Sequence, residues 1–245
     1  MIDRGKRNVL GIGIDVCDYD GAVERILDAA TTGQPLSMSA LAVHGIMTGV
    51  SDAEHRHRLN HLDLITPDGQ PVRWGLNLLH RAHLGDRVYG PTLSLHVLQR
   101  AEAEGLAVCF YGSTPEVLAQ LRSRLTDRFP SLVIAGLWPS QFASADPDAC
   151  DEIAARIRTS GARICFVGLG CPRQEVFVWA MRDRLGMPAL AVGAAFDYHA
   201  GLQIEPPQWV QRRGLQWLWR LAAEPRRLWR RYLLLNPAYL TLLAA

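Results

Sequence analysis

The chain has 245 residues, 49% hydrophobic and 20% charged, a composition that fits a folded protein with a substantial core and excludes a disordered one. Its net charge of +2 conceals an asymmetry, because residues 206–245 carry +6 and residues 1–205 carry −4, so no nucleic-acid partner is expected for the body. No apolar run is long enough for a spanning helix, residues 1–7 lack the apolar stretch of a signal peptide, and the five cysteines form no C-x-x-C pair, which argues against disulfides and structural zinc and for reduced thiols in a cytosolic protein.

Short apolar runs rich in β-branched residues predict strands over 9–16, 36–43, 62–65, 106–111, 132–137, 163–169 and 189–195. Helical patterns lie between them. Asp18-Tyr19-Asp20 leads into a helix carrying Val23, Ile26 and Leu27; Ser113-Thr114-Pro115-Glu116 opens one carrying Val117, Leu118, Leu121 and Leu125; Asp146-Pro147-Asp148 opens one carrying Ile153 and Ile157. The alternation predicts an α/β fold, a mainly parallel sheet flanked by helices on both faces and Rossmann-like in character. Ligands of such sheets bind at the carboxyl ends of strands.

Four strand-to-helix loops carry candidate chemistry. Asp68, in Thr66-Pro67-Asp68-Gly69-Gln70-Pro71, projects from a strand end and suits a general base; a turn stabilised by the aspartate and Gly69 explains the same residues. Gly112 and Ser113 permit backbone approach to a diphosphate at a helix start; ordinary N-capping explains the same residues. In Gly168-Leu169-Gly170-Cys171-Pro172-Arg173-Gln174-Glu175, Arg173 stands where a dinucleotide fingerprint requires glycine. Gln174 offers both donor and acceptor to a nucleobase or sugar. Asp197, after the small residues Gly193, Ala194 and Ala195, either binds sugar hydroxyls or ties down its loop.

Two patterns mimic metal sites. Asp18 and Asp20 form a D-x-D, the motif of metal-dependent sugar transferases, although helix capping accounts for it. His57 and His61 have ligand spacing, but with His55, Glu54, Arg56 and Arg58 around them they read as a solvated helix face. Cys171 is conceivable as a thiol nucleophile, with no partner evident.

Composition shifts near residue 206, dividing an α/β domain, 1–205, from a helical appendage, 206–245. The appendage holds seven arginines, four tryptophans, two tyrosines and one acid, Glu224. Arginine engages phosphates and tryptophan prefers the headgroup boundary of a membrane, so the segment suits a lipid-linked diphosphate at an anionic membrane surface. Arg220, Arg227, Arg230 and Arg231 fall on neighbouring helical turns, Leu218, Leu221, Trp229 and Leu233 supply an apolar side, and Pro225 divides the segment into two helices.

These stretches, with Arg87-Val88-Tyr89-Gly90 and Glu224-Pro225-Arg226-Arg227, resemble in content and order the WecG/TagA/CpsF family of bacterial glycosyltransferases, over nearly the whole chain. The resemblance implies inverting transfer from a UDP-sugar to a polyprenyl-diphosphate-linked saccharide in exopolysaccharide or other cell-surface polysaccharide synthesis, on the inner face of the cytoplasmic membrane. It implies no metal and no cofactor beyond the donor, and it allows a homo-oligomer. It assigns the base to Asp68 and donor binding to Gly69, Arg87, Gly112, Ser113, Gly168, Gly170, Arg173, Gln174, Glu175 and Asp197. The lipid diphosphate falls to Arg220, Arg227, Arg230 and Arg231. Ala40-Leu41-Ala42 replaces the family's frequent Thr-x-Asn, which points to altered donor recognition, with Ser39 and His44 as substitutes and plain hexoses or uronic acids as donors beside N-acetylmannosamine. A non-catalytic nucleotide- or phosphate-binding module and a metal-dependent D-x-D transferase are the alternatives.

Overall fold

The computed structural model describes residues 1–244, with the side chains of Gln208, Arg212 and Arg227 excepted. The strand expected over 9–16 is instead part of a hairpin. β1 (Asp3–Val9) and β2 (Ile12–Cys17) pair antiparallel, with Val9 opposite Ile12. The two turn residues, Leu10 and Gly11, have φ of 53° and 87°, the positive values that a two-residue turn between twisted strands requires. Leucine in the first of these positions hides the usual Asn-Gly signal.

The other strands lie close to where the sequence predicts them. β3 (Leu36–Leu41), β4 (Leu64–Pro67), β5 (Val108–Gly112), β6 (Ile134–Trp138), β7 (Ile164–Gly168) and β8 (Pro188–Ala191) form one sheet in the order β4-β3-β8-β7-β5-β6, with every pair parallel. The hairpin stands beside β4 at the sheet edge. Buried Asp15 of β2 accepts hydrogen bonds from the Ile65 amide (2.7 Å) and from Arg25 (2.8 Å), and Arg25 also donates to the Asp63 carbonyl (2.8 Å).

Side chains alternate across the pleat and so divide the core in two. Cys109, Tyr111, Cys165, Val167, Ala189 and Ala191 face one side, where α2 (Val43–Ser51), α3 (Ala53–Asn60), α4 (Gln70–His80), α7 (Pro147–Thr159) and α8 (Arg173–Leu185) pack. Val108, Phe110, Ile164, Phe166 and Leu190 face the other, against α1 (Tyr19–Thr32), α5 (Gly90–Ala103), α6 (Pro115–Arg128) and α9 (Ala195–His199). The expected caps are present: Asp18 accepts from Gly21 N (2.9 Å), Thr114 from Val117 N (3.4 Å) and Asp146 from Ala149 N (3.1 Å).

The C-terminal segment is helical and docked. It runs through α10 (Gln208–Arg212), α11 (Gln216–Ala223), α12 (Pro225–Arg230), a π-helical turn (Arg231–Leu235) and α13 (Asn236–Ala244). Pro225 separates α11 from α12, since its ring cannot continue the preceding helix. From α13, fully buried Tyr239 joins the core and donates from its hydroxyl to the Pro71 carbonyl (3.3 Å). That hydroxyl would stand 2.5 Å from a Cβ added at Gly75, so glycine in α4 makes room for the docked tail. Among the described residues, no helix is long and apolar enough to cross a membrane.

Candidate active site

Five strands end at one cavity of about 350 Å³. Ala40, Ala42 and His44 enter from the end of β3, Asp68 and Gly69 from β4, Ser113 from β5, Gly168, Gly170 and Cys171 from β7, and Gly193 and Asp197 from beyond β8. The sheet therefore delivers loops far apart in sequence to one place, the position expected for a ligand of a parallel sheet.

Asp68 follows the four buried residues of β4. Its amide donates to the Leu41 carbonyl (3.2 Å), and its Oδ2 accepts from the Gly90 amide (3.5 Å). Burial raises its carboxyl above the ordinary aspartate range; Arg87, the Gly90 amide, Arg220 and Arg231 oppose that rise without cancelling it. A carboxylate that is desolvated yet still faces guanidinium groups is a stronger proton acceptor than a solvated one and remains poised to ionise. Arg87 is 7% exposed, lies 4.5 Å over the Tyr89 ring and donates to Gln211 of α10 (3.4 Å).

At the start of α8, Gln174 and Glu175 are both buried. Glu175 Oε1 accepts from Ser39 Oγ (3.0 Å) and from Gln174 Nε2 (2.9 Å). Gln174 Oε1 has no protein partner, and a Cβ added at Gly193 would lie 3.2 Å from it. The pocket thus presents a buried acceptor that a ligand can satisfy. Ser113 holds a left-handed φ of 60° and donates from its amide to the Gly168 carbonyl (3.0 Å).

Other expected site residues lie elsewhere. Gly112 does not line the cavity; a Cβ there would meet the Gly168 carbonyl at 2.5 Å, so it serves the approach of β5 to β7. Arg173 turns away and donates to Ser140 Oγ (3.3 Å) and the Phe142 carbonyl, bracing the loop before α7. Ser39 is spent on Glu175 and is not a lining residue, whereas His44 is one, with Nδ1 buried and unpartnered. Burial, then Arg231 and His55, lower the His44 imidazole to about 4, so it is neutral near pH 7.

The tail closes one side. Arg220, Arg231, Trp217, Tyr232 and Asn236 all line the cavity. Arg230 is exposed and lies 5.2 Å over the Trp229 ring, and the side chain of Arg227 lies outside the described residues. Arg231 and Asn236 stand five residues apart, the spacing of a π turn, which a search at period 3.6 misses. Tyr89, Gln70 and Gln216 are further lining residues that the sequence reading passed over. Tyr89 was legible only as the unassigned middle of Arg87-Val88-Tyr89-Gly90.

The competing motifs separate from the cavity. Asp18 caps α1 and pairs with the N-terminal amine (3.6 Å), and neither it nor Asp20 lines the pocket, so the D-x-D lies outside the cavity. His57, on α3, and His61, just past its end, are exposed, with their rings in tilted contact. Burial and Glu175 push the Cys171 thiol up, the opposite of an activated nucleophile.

The cavity therefore joins a desolvated carboxylate, guanidinium groups and an open buried amide acceptor at the ends of a parallel sheet. Residues 7–245 match the model of the glycosyl transferase WecG/TagA/CpsF family, and the chain belongs to this family of glycosyltransferases.

Proposed function

We propose that the protein transfers a hexosyl or uronosyl group from a UDP-sugar to a polyprenyl-diphosphate-linked saccharide, with inversion and without a metal on the donor diphosphate, in exopolysaccharide or related cell-surface polysaccharide synthesis. The observation that carries this reading is Asp68, a carboxylate with a raised pKa at a strand end, facing Arg87, Arg220 and Arg231. Its carboxylate takes the acceptor hydroxyl proton while the hydroxyl oxygen attacks the anomeric carbon from the face opposite the leaving group. The bond from that carbon to the diphosphate oxygen breaks, and UDP leaves with the electron pair. The guanidinium groups offset the charge that develops on the diphosphate. Gln174 and Asp197 are suited to nucleotide or sugar contacts, and the methyl groups of Ala40 and Ala42 leave that wall with few polar contacts for an acetamido group.

The reading extends to the membrane. Leu218, Trp219, Trp229, Leu233, Leu234, Leu240 and Leu242 are exposed on the tail beside Arg226 and Arg230, a mixture suited to a headgroup boundary. The deciding experiment measures UDP release from UDP-glucose, UDP-glucuronate and UDP-N-acetylmannosamine with and without a lipid-diphosphate acceptor. Acceptor-dependent release is expected from one of the first two. If none of the three donors gives it, the protein is a nucleotide- or phosphate-binding module and the transfer reading fails.

A further inference from the structure

Beside the cavity, between α3 and the first turn of α8, two buried polar atoms lack a nitrogen or oxygen hydrogen-bond partner. His55, on α3, is 2% exposed, and its Nε2 has no hydrogen-bond partner. Glu175 is 1% exposed; its Oε1 is held by Ser39 and Gln174, but its Oε2 has no partner. Orphaned buried polar atoms are rare because desolvation is costly, and two facing the same space call for a common occupant. The Cys171 thiol stands at the same spot: one ligand atom from each of His55, Cys171 and Glu175 lies within 4.8 Å of the other two.

We propose that His55 Nε2, Cys171 Sγ and Glu175 Oε2 form a binding site for a thiophilic divalent metal ion of the Zn²⁺ class. Imidazole, thiolate and carboxylate are its ordinary ligands, whereas Mg²⁺ and Ca²⁺ take oxygen. Tetrahedral bonds of about 2.0–2.3 Å set donor atoms roughly 3.3–3.8 Å apart, so the cluster closes on the ion by a contraction of about an ångström. Burial favours the neutral form of His55 against the pull of Glu175 and Asp52, and a neutral imidazole is the form that ligates a metal. Cys171 is a protonated thiol before the ion binds, so binding releases its proton to solvent as the sulfur–metal bond forms. Thiolate and carboxylate together neutralise the ion, which limits its repulsion by nearby Arg231.

The site is separate from the exposed His57 and His61 and from Asp18 and Asp20. Its place gives it a role. Glu175, oriented by Ser39 and Gln174 through its other oxygen, would be fixed as metal-ligating carboxylates are by their outer hydrogen bonds. The ion would tie α3 to α8 and hold Gln174 where its Oε1 opens to the cavity. Three protein ligands leave a fourth position for water or a ligand atom, and Cys171 and Glu175 both line the cavity.

The full-length protein, reduced and stripped with chelator, is titrated with Co²⁺ and then Zn²⁺. A thiolate-to-cobalt charge-transfer band is expected, saturating at one equivalent and bleached by Zn²⁺. At a hundredfold excess over Kd, Zn²⁺ should raise Tm by about 5–10 °C. Cys171→Ala should remove the band and most of the Tm shift, and His55→Gln should weaken Zn²⁺ retention at least tenfold. Should either variant fail to fold, X-ray absorption of the wild-type zinc form decides, with one sulfur and otherwise nitrogen or oxygen neighbours expected. Absence of the band in wild type, its persistence in Cys171→Ala, or a zinc shell without sulfur overturns the site.

Discussion

The two halves of the pocket are held in place by different means. On the sheet side, Asp68, Ser113 and Gly168 end or follow strands whose side chains are almost entirely buried on both faces, and their backbones are tied to neighbouring strands. On the tail side, Arg220 and Arg231 come from short helices anchored by few buried side chains, chiefly Leu228, Tyr239 and Leu243. The opposite sides of those helices leave Leu218, Trp219, Trp229, Leu233 and Leu234 exposed. The sheet gives a geometry that depends on the core alone, while the tail brings cations to the site and apolar surface to the outside in the same few turns. Exposed apolar side chains gathered on one segment suit a docking surface.

Replacing Asp68 tests the sheet side most directly. Asp68→Asn should lower turnover by about 10²–10⁴-fold, the usual contribution of a positioned base, with UDP affinity measured by calorimetry unchanged. Stability should move the other way. A carboxyl whose folded pKa is raised stabilises the fold while protonated, and that contribution is lost as pH rises through the folded value. Above the folded pKa the ionised Asp68 therefore costs stability, and there Asn should raise Tm. The same shift places the acid limb of the rate profile above the pH of an ordinary aspartate. Near-normal turnover in Asp68→Asn removes the residue from the base role.

The tail side is expected to matter less to chemistry. Arg231→Ala should reduce kcat/KM by roughly 10²-fold, the cost of losing one charge-stabilising donor. If the loss equals that of Asp68→Asn, the two halves do not differ as argued.

Much of the sheet was legible because buried parallel strands announce themselves as short apolar runs, and each useful loop follows such a run. Asp68, Gln174 and Asp197 stood out because polar residues in the loop or first helical turn after a buried strand point to its carboxyl end. The hairpin was not legible, since Leu10 takes a backbone conformation that leucine rarely signals. Arg173 and Gly112 shared their motifs with lining residues, yet their partners, Phe142 and Gly168, are fixed only by tertiary packing. His55 looked like one of several histidines on a charged helix; which of them turns inward depends on what α3 packs against. The composition of the tail was plain, but its anchor Tyr239 and its π turn were not, because one aromatic among leucines carries no direction.

Acid should loosen the core through two histidines. Burial lowers both His44 and His199 to about 4. Groups with depressed folded values contribute stability above their unfolded pKa, here about 6.5, and lose it as pH falls toward the folded value. Tm should therefore drop between about pH 6.5 and 4. His199→Gln, which removes one titrating ring but retains a group able to meet the Pro91 carbonyl, should flatten that slope. An unchanged slope would mean that carboxylates govern the transition.

The docking of the tail can be weakened at a residue that does not itself line the pocket. Tyr239→Phe keeps the ring in the core and deletes the hydroxyl that donates to Pro71; a stability loss of about 1 kcal/mol is expected in urea unfolding. A loss of that size, accompanied by a higher KM for the lipid acceptor, would tie the anchor to the arginines it positions.

The smallest effect on the fold should come from the outward face. Trp229, Leu233 and Leu234 are 42%, 53% and 55% exposed, and exposed positions away from caps and cores usually change stability by no more than about 0.5 kcal/mol each. A Trp229→Ser, Leu233→Ser, Leu234→Ser triple variant should therefore melt close to wild type and release UDP normally with a soluble, short-chain acceptor. Its cosedimentation with anionic vesicles should fall sharply, as should turnover of a long-chain acceptor in those vesicles. Binding by the wild type should also weaken with added salt, because the arginines beside this face are exposed and screened. If the triple variant sediments and turns over the long-chain acceptor like wild type, the exposed leucines and tryptophan are not the docking face, and the tail contributes through its inward arginines alone.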